Sequence, residues 1–146
     1  MNARDLMTQN PECCTRDHTA LDAARMMRDC DCGAIPVVES LESKKVVGIV
    51  TDRDLAVRCL AEGKGPDTPV ADLMTKHVRC AKPDDDHQRI EALMAKNQIR
   101  RIPVCEDDRI VGMIAQADLA RHERELGDHE VRETIERISE PAGMSR

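Results

Sequence analysis

The sequence predicts an α/β (α+β) fold made of two pseudo-symmetric βαββα repeats packed through their sheets. The first observation is repetition: "DLMT" at residues 5–8 returns at 72–75, and "IPV" at 35–37 returns at 102–104, in both cases 67 residues later. The second is that each copy carries a helical apolar pattern followed by two short β-branched runs. A unit of about 60 residues buries little surface alone, so the two copies should share one core.

The first copy supports each element in order. Its extended stretch, helix, two strands and second helix are predicted at residues 12–15, 19–31, 35–39, 46–51 and 53–61. In the first helix Ala20, Ala23, Ala24 and Met27 fall on one face, at the spacing of a buried helical surface. The string "EGKGPDTP" then predicts a linker, because glycine and proline interrupt regular structure.

The second copy repeats this order, with elements predicted at 78–81, 86–98, 102–105, 110–115 and 116–125. The predicted domains are therefore 1–64 for the first repeat, 68–125 for the second, and 126–146 for a charged C-terminal helix extension and tail. In that extension Val131, Ile135 and Ile138 form a narrow apolar stripe. The stripe either docks on a second protomer or folds back on its own chain.

Composition limits the kinds of partner. The formal net charge is −6 and the chain has no Phe, Tyr or Trp, so it offers neither attraction to a phosphate backbone nor rings for base stacking. No apolar run approaches the roughly 20 residues that cross a bilayer, and the N-terminus has no signal-peptide pattern. We therefore expect a cytoplasmic protein that binds neither nucleic acid nor membrane.

The seven cysteines have two interpretations. An odd number without an export signal predicts reduced thiols that pack as small hydrophobes. The alternative is a redox or metal sensor that uses Cys13, Cys14, Cys30 and Cys32. No pair has the C-x(2–4)-C spacing of structural zinc sites, so we expect no metal site.

No catalytic constellation stands out in the sequence. The histidines lack an H-E-x-x-H spacing and there is no G-x-x-x-x-G-K-[ST] loop. We therefore expect no enzyme activity, no catalytic residues and no obligatory cofactor.

A Thr-x-x-Asp turn, Thr51 to Asp54, connects the predicted strand at 46–51 to the predicted helix at 53–61. It is either a helix cap, with Asp54 in the first turn, or a nucleotide turn. In the second case the free N–H groups of the first helical turn and the Thr51 hydroxyl receive a phosphate, and Asp54 accepts hydrogen bonds from ribose hydroxyls.

The chain from about residue 1 to 122 resembles a tandem of cystathionine-β-synthase-type (CBS) domains, the pair often called a Bateman module. The resemblance rests on "DLMT", "GAIPVV" and "VGIVTDRDL" in the first copy and on "DLMT", "IRRIPV" and "VGMIAQADL" in the second. It implies a free-standing, non-enzymatic regulatory module that binds AMP, ADP, ATP, NAD or S-adenosylmethionine in clefts between the repeats. Such a module signals to a regulated partner protein by a conformational change.

The resemblance also implies the site residues. One cleft would combine Thr51, Arg53 and Asp54 with Val78, Arg79, Arg100, Arg101, Ile102 and Pro103. The other would combine Asp118 with Cys14, Thr15, Ala34, Ile35 and Pro36. Ala115 stands where the family has Thr or Ser, so we expect the Asp54 cleft to be the stronger phosphate site.

Assembly follows from the same resemblance. Modules of this family pair through their second helices, which implies a homodimer here. Leu55, Leu60, Leu119 and Met113 are the apolar residues that we expect to be covered by the pairing. A purely structural dimerisation module, with clefts that bind nothing, remains the other alternative to a nucleotide sensor.

Overall fold

The computed structural model describes residues 1–122 and 135–138. It confirms the predicted order of elements in the first copy and, in the second, the order of the helix at 86–98, the two strands and the start of the last helix; the stretch predicted at 78–81 forms only an isolated bridge at Ala81. The first copy contains α1 (Ala3–Leu6), β1 (Thr8–Gln9), β2 (Cys14–Thr15), α2 (Ala20–Cys30), β3 (Ala34–Val38), β4 (Val46–Thr51) and α3 (Asp52–Asp54), which continues as a π-helix (Leu55–Leu60). The second contains a 3₁₀ turn (Val70–Asp72), α4 (His87–Asn97), β5 (Arg101–Glu106), β6 (Arg109–Ala115) and α5 (Gln116–Arg121). The last residues of the helix predicted at 116–125 lie outside the described residues, as does most of the predicted tail at 126–146.

The chain divides into two compact units that do not follow the repeat boundary. The Asp54 unit consists of residues 10–78 and 107–110, and the Asp118 unit consists of residues 1–9, 79–106 and the described residues from 111 onward. The first "DLMT" thus belongs with the second repeat and the second "DLMT" with the first.

Hydrogen bonding explains this exchange of segments. In the Asp54 unit the sheet order is β2-β3-β4, and Thr75 of the second "DLMT" exchanges backbone hydrogen bonds of 2.8 and 3.0 Å with Ile49 of β4. In the Asp118 unit the order is β1-β6-β5, and Thr8 of the first "DLMT" pairs with Met113 of β6. Each "DLMT" therefore covers an edge strand of the unit that it joins.

A methionine packed on a glycine completes each of these contacts. Met74 lies over Gly48, where an added Cβ would meet the Met74 Sδ at 2.6 Å and the Thr75 carbonyl oxygen at 2.9 Å. Met7 lies over Gly112 in the same way. The glycine in "VGIV" and "VGMI" is thus required by close approach of another segment, not by backbone conformation.

The two long helices have similar ends. Thr19 and Asp22 form a capping box at the start of α2, and these hydrogen bonds hold the pKa of Asp22 below its ordinary value. Asp86 caps α4. Asp31 and Gln98, which end the two helices, are both left-handed, with φ of 52° and 51°.

The cysteines at the end of α2 correct one expectation. Cys30 and Cys32 are joined by a disulfide, with Cα atoms 5.4 Å apart, whereas the sequence predicted reduced thiols throughout. The separation of these Cα atoms lies within the range that a disulfide requires.

Each unit has its own aliphatic core. That of the Asp54 unit includes Cys14, Ile35 and Leu73. That of the Asp118 unit includes Leu119 and Ile138, and Ile135 packs against it. The stripe predicted at the C-terminus thus contacts its own chain at its two described positions, and Val131 lies outside the described residues.

Burial corrects part of the predicted dimer surface. Leu119 is 0% exposed and belongs to the core, whereas Leu60 is 77% and Val57 is 45% exposed. The helix that carries Leu60 and Val57 therefore presents apolar surface, and Leu119 does not contribute to it. Within residues 1–122 and 135–138, no helix is both long and apolar enough to cross a membrane.

Candidate functional site

The turn that connects β4 to α3 holds its two polar side chains in a fixed arrangement. The Thr51 N–H donates to Asp54 Oδ2 at 2.9 Å, and the Asp54 N–H donates to Thr51 Oγ1 at 3.1 Å. Asp54 is only 8% exposed. The capping interpretation is thus confirmed in geometry, and the cap leaves Asp54 as a buried carboxylate at the end of a strand.

The backbone of this turn corrects one expectation. The Asp52 N–H donates to the Gly33 carbonyl oxygen at 2.9 Å, and the Arg53 N–H donates to the Asp52 carboxylate at 2.8 Å. The Asp54 N–H already donates to Thr51. The prediction that these N–H groups are free to receive a phosphate is therefore wrong, because each donates to an acceptor within the unit.

A cationic side chain, Arg58, lies beside the turn instead. The Arg58 Nε is 3.6 Å from Asp54 Oδ1, and Arg58 Nη1 donates to the carbonyl oxygens of Leu73 and Met74 at 3.4 and 3.5 Å. Arg58 thus links the buried carboxylate to the "DLMT" segment, while its side chain remains 53% exposed.

A groove is lined by Arg58 and by residues of the second "DLMT" segment and the two residues that follow it. Its volume is about 690 Å³, within the range of small-molecule sites. The lining residues are Arg58, Lys64, Ala71, Asp72, Met74, Thr75, Lys76 and His77. In a chain of net charge −6, this concentration of basic side chains favours an anionic ligand.

The sequence analysis missed these groove residues. One signal was available, because Arg58 follows Asp54 by four residues, the spacing of neighbours on a helix. Lys76 and His77 carry no such signal, since they reach the groove only through the pairing of Thr75 with Ile49.

The equivalent turn of the other unit keeps the carboxylate and lacks the hydroxyl. The Ala115 N–H donates to Asp118 Oδ2 at 2.7 Å, Asp118 is 8% exposed, and Arg121 forms an ion pair with Asp118 Oδ1. The Gln116 N–H donates to the Arg100 carbonyl oxygen at 2.7 Å, as the Asp52 N–H does to Gly33. Both Asp54 and Asp118 are therefore held by a preceding N–H and faced by an arginine.

The other predicted site residues lie in both units, some in each. Cys14, Thr15, Ala34, Ile35, Pro36 and Val78 belong to the Asp54 unit, and Arg79, Arg100, Arg101, Ile102 and Pro103 to the Asp118 unit. Ala34 of β3 lies directly opposite Thr51 of β4. That residues from different units share one ligand stays a prediction.

Several of these residues are core residues. Cys14 and Ile102 are 0% exposed and Ile35 is 1% exposed. Burial raises the pKa of Cys14 to about 12. The Thr15 N–H donates to His18 Nδ1 at 2.8 Å. At these positions the side chains serve packing within their own unit.

Comparison with known proteins decides the family. The model of the CBS domain matches residues 3–60 and again 70–125. The chain belongs to the CBS domain family. It carries the domain twice, and CBS domain pairs are regulatory modules.

Individual relatives agree with this assignment. The chain is 36% identical over 119 residues to the CBS domain-containing protein YhcV of Bacillus subtilis, covering 82% of this chain and 83% of that protein. It is 31% identical over 144 residues to hypoxic response protein 1 of Mycobacterium tuberculosis, covering 98% and 97%.

Solved structures show the same fold. A crystal structure of hypoxic response protein I with two coordinated zinc ions matches with a TM-score of 0.76 and 32% identity, over 84% of this chain and 98% of that one. The CBS domain pair of protein MJ0100, in complex with 5'-methylthioadenosine and S-adenosylmethionine, matches with a TM-score of 0.77 and 25% identity, over 86% and 97%. Within the described part of this chain, no group of three His, Cys, Asp or Glu residues is placed to hold a metal ion.

Proposed function

We propose that this CBS domain pair binds an adenosine-containing ligand, namely AMP, ADP, ATP, NAD or S-adenosylmethionine, and that binding shifts its conformation and thereby signals to a partner protein. The observation that carries the proposal is a buried carboxylate, Asp54, that is ion-paired with Arg58, a residue lining a basic groove. This arrangement provides both chemistries that a nucleotide presents, hydroxyl donors on the ribose and negative charge on the phosphates.

The ribose would bind at Asp54. Its Oδ2 accepts the Thr51 N–H, and an ionised carboxylate has about four acceptor positions in all. The remaining positions suit the two ribose hydroxyls. Since Arg58 lies 3.6 Å away, beyond ideal hydrogen-bond distance, it leaves Asp54 Oδ1 available.

The phosphates would bind the basic side chains. Arg58, Lys76 and His77 line the groove, and guanidinium groups favour phosphate because they donate two parallel hydrogen bonds. The sequence adds Arg79, Arg100 and Arg101 to this proposal. Arg53 is exposed on the same turn and would add further positive charge.

The Asp118 turn would favour a ligand with less negative charge. Ala115 removes the hydroxyl that Thr51 supplies, while Asp118 and its hydrogen bond from the Ala115 N–H remain. A nucleoside without phosphates needs only the carboxylate. The MJ0100 complex contains two adenosyl ligands that lack a phosphate group, which supports a binding mode of this kind.

We also propose that the protein acts as a homodimer. Leu60 and Val57 expose apolar side chains on one helix, and the cost of their hydration favours a covering partner. A second copy is the partner that the family resemblance implies. Ligand binding at Asp54 would affect this pairing because α3 continues directly into the helix that carries Val57 and Leu60.

Calorimetry on reduced, chelator-treated protein tests the proposal. We expect saturable heat with at least one of AMP, ADP, ATP, NAD or S-adenosylmethionine. Zinc chloride alone serves as the comparison for a metal sensor. Binding of zinc without binding of any adenosine ligand would contradict the proposal, as would the absence of heat in every titration.

A further inference from the structure

Two thiols of the Asp118 unit lie against each other. Cys105 Sγ is 3.1 Å from Cys80 Sγ, compared with about 2.05 Å in a disulfide. Cys80 is exposed and Cys105 is buried near the end of β5. The pair therefore combines a sulfur that a reagent can reach with a second sulfur directly behind it.

The backbone holds the two cysteines in this position. The Ala81 N–H donates to the Pro103 carbonyl oxygen and the Cys105 N–H donates to the Ala81 carbonyl oxygen, both at 2.8 Å. This parallel bridge fixes the chain at Cys80 beside β5. Little backbone movement is then needed to bring the sulfurs into bonding distance.

We propose that Cys80 and Cys105 form a reversible disulfide by exchange with a low-molecular-weight disulfide such as oxidised glutathione. The inference does not rest on nucleotide binding. Cys80 is the attacking thiol because it is exposed, whereas Cys105 is buried.

The exchange has two balanced steps. The Cys80 thiolate attacks one glutathione sulfur, forms a mixed disulfide and releases one glutathione thiolate. Cys105 then loses its proton and attacks the Cys80 sulfur, which releases the second glutathione thiolate. Two protein thiols are oxidised by two electrons, oxidised glutathione is reduced to two thiols, and the two protons pass to the departing thiolates.

The first repeat provides an internal comparison. Cys13 occupies the position of Cys80, 67 residues earlier, but Val38 occupies the position of Cys105. Cys13 Sγ donates to the Pro11 carbonyl oxygen at 3.3 Å, and burial raises the pKa of its thiol. The paired arrangement thus belongs to the second repeat, and Val38, which is fully buried, shows that valine fits the position of Cys105.

Peptide mapping distinguishes this bond from the other cysteines. Trypsin places Cys80 in residues 80–89 and Cys105 in residues 102–109, because cleavage follows Arg or Lys unless proline comes next. Cys30 and Cys32 fall together in residues 29–44. A Cys80–Cys105 bond therefore joins two peptides, whereas the bond between Cys30 and Cys32 joins none.

The experiment treats fully reduced protein with oxidised glutathione and analyses non-reduced tryptic digests by mass spectrometry. We expect the joined peptides 80–89 and 102–109 in wild type and their separation after dithiothreitol. In C105V, Cys80 should instead retain one glutathionyl group, since no second thiol displaces it. Because the bond closes a loop that contains α4, oxidised wild type should also unfold at a higher temperature than reduced wild type, and C105V should not show that increase.

Two outcomes would overturn the inference. One is a wild-type Cys80 that carries glutathione as persistently as C105V does, because Cys105 would then not reach it. The other is an unmodified Cys80 in both proteins after prolonged treatment, because Cys80 would then not act as the attacking thiol.

Discussion

Thr51 and Asp54 hold each other through two reciprocal hydrogen bonds, of 2.9 Å from the Thr51 N–H to the Asp54 carboxylate and 3.1 Å from the Asp54 N–H to the Thr51 hydroxyl. The same pair therefore begins a helix and orients a buried carboxylate. A cap and a ligand site are thus compatible uses of one turn, because the capping bonds occupy only part of the acceptor capacity of Asp54.

Removing a cationic side chain from the groove should weaken the binding of ligands that carry phosphate and leave the binding of adenosine unchanged. We expect Lys76→Ala to weaken ATP and AMP binding on the order of tenfold, the effect of one charge-assisted hydrogen bond, and to leave adenosine binding unchanged. Arg100→Ala combined with Arg101→Ala should show the same selectivity. Calorimetry with the three ligands measures it, with Lys45→Ala, an exposed cation outside the groove, as the control. An equal loss for adenosine would mean that these cations maintain the fold.

The exposed apolar helix should determine the oligomeric state. We expect Leu60→Glu to convert the proposed dimer to a monomer, because burying an unpaired carboxylate in an apolar interface is unfavourable. Leu41→Glu, at a leucine that is 56% exposed in a loop, is the matched control and should remain dimeric. Light scattering at micromolar protein, with and without an adenosine ligand, checks both variants. A wild-type monomer under both conditions would rule out the interface.

The contact between Met74 and Gly48 predicts a stability effect. Gly48→Ala would place a Cβ 2.9 Å from the Thr75 carbonyl oxygen, and overpacking of this kind costs roughly 1–3 kcal/mol. Gly65→Ala is the control, because its Cβ would meet only the movable Asp67 carboxylate. Urea denaturation should therefore show a lower midpoint for Gly48→Ala than for Gly65→Ala. Equal midpoints would mean that the segment adjusts without cost.

The buried Cys14 thiol predicts a pH dependence of stability. Burial raises its pKa from 9.0 to about 12 in the folded protein. The neutral thiol therefore stabilises the folded state fully below pH 9, and this contribution is lost as the pH rises towards 12, by up to about 1.4 kcal/mol per pH unit. Urea titrations between pH 8 and 11 should show a steeper decline for wild type than for Cys14→Ala. Parallel declines would contradict the raised pKa.

The helices, most of the strands and the Thr51–Asp54 turn could be predicted from the sequence, because they depend on local patterns of residues. Helix α2 begins directly after Thr19, and the capping bonds of that residue involve Asp22, three positions away. The groove was not predictable in this way. Lys76 and His77 reach it through the hydrogen bonds between Thr75 and Ile49, a pairing between distant segments that no local pattern specifies.

The cysteines were misread for a related reason. Cys30 and Cys32 are bonded although they are only two residues apart, and this spacing is not one that the sequence rules for disulfide frameworks specify. The approach of Cys80 to Cys105 depends on the bridge between Ala81 and Val104. Leu119 was expected at the dimer surface because modules of this family pair through their second helices, but its side chain belongs to the core of the Asp118 unit.

The most direct test of nucleotide binding at Asp54 compares Asp54→Asn with Asp118→Asn by calorimetric titration of ATP. Asparagine keeps the size of the side chain and an oxygen that can accept the preceding N–H, so both variants should fold. We predict that Asp54→Asn weakens binding by on the order of 1.5–3 kcal/mol, the contribution of hydrogen bonds to a charged group, and that Asp118→Asn has a smaller effect. Unchanged ATP affinity in Asp54→Asn, with wild-type protein that binds ATP, would contradict the assignment of the site.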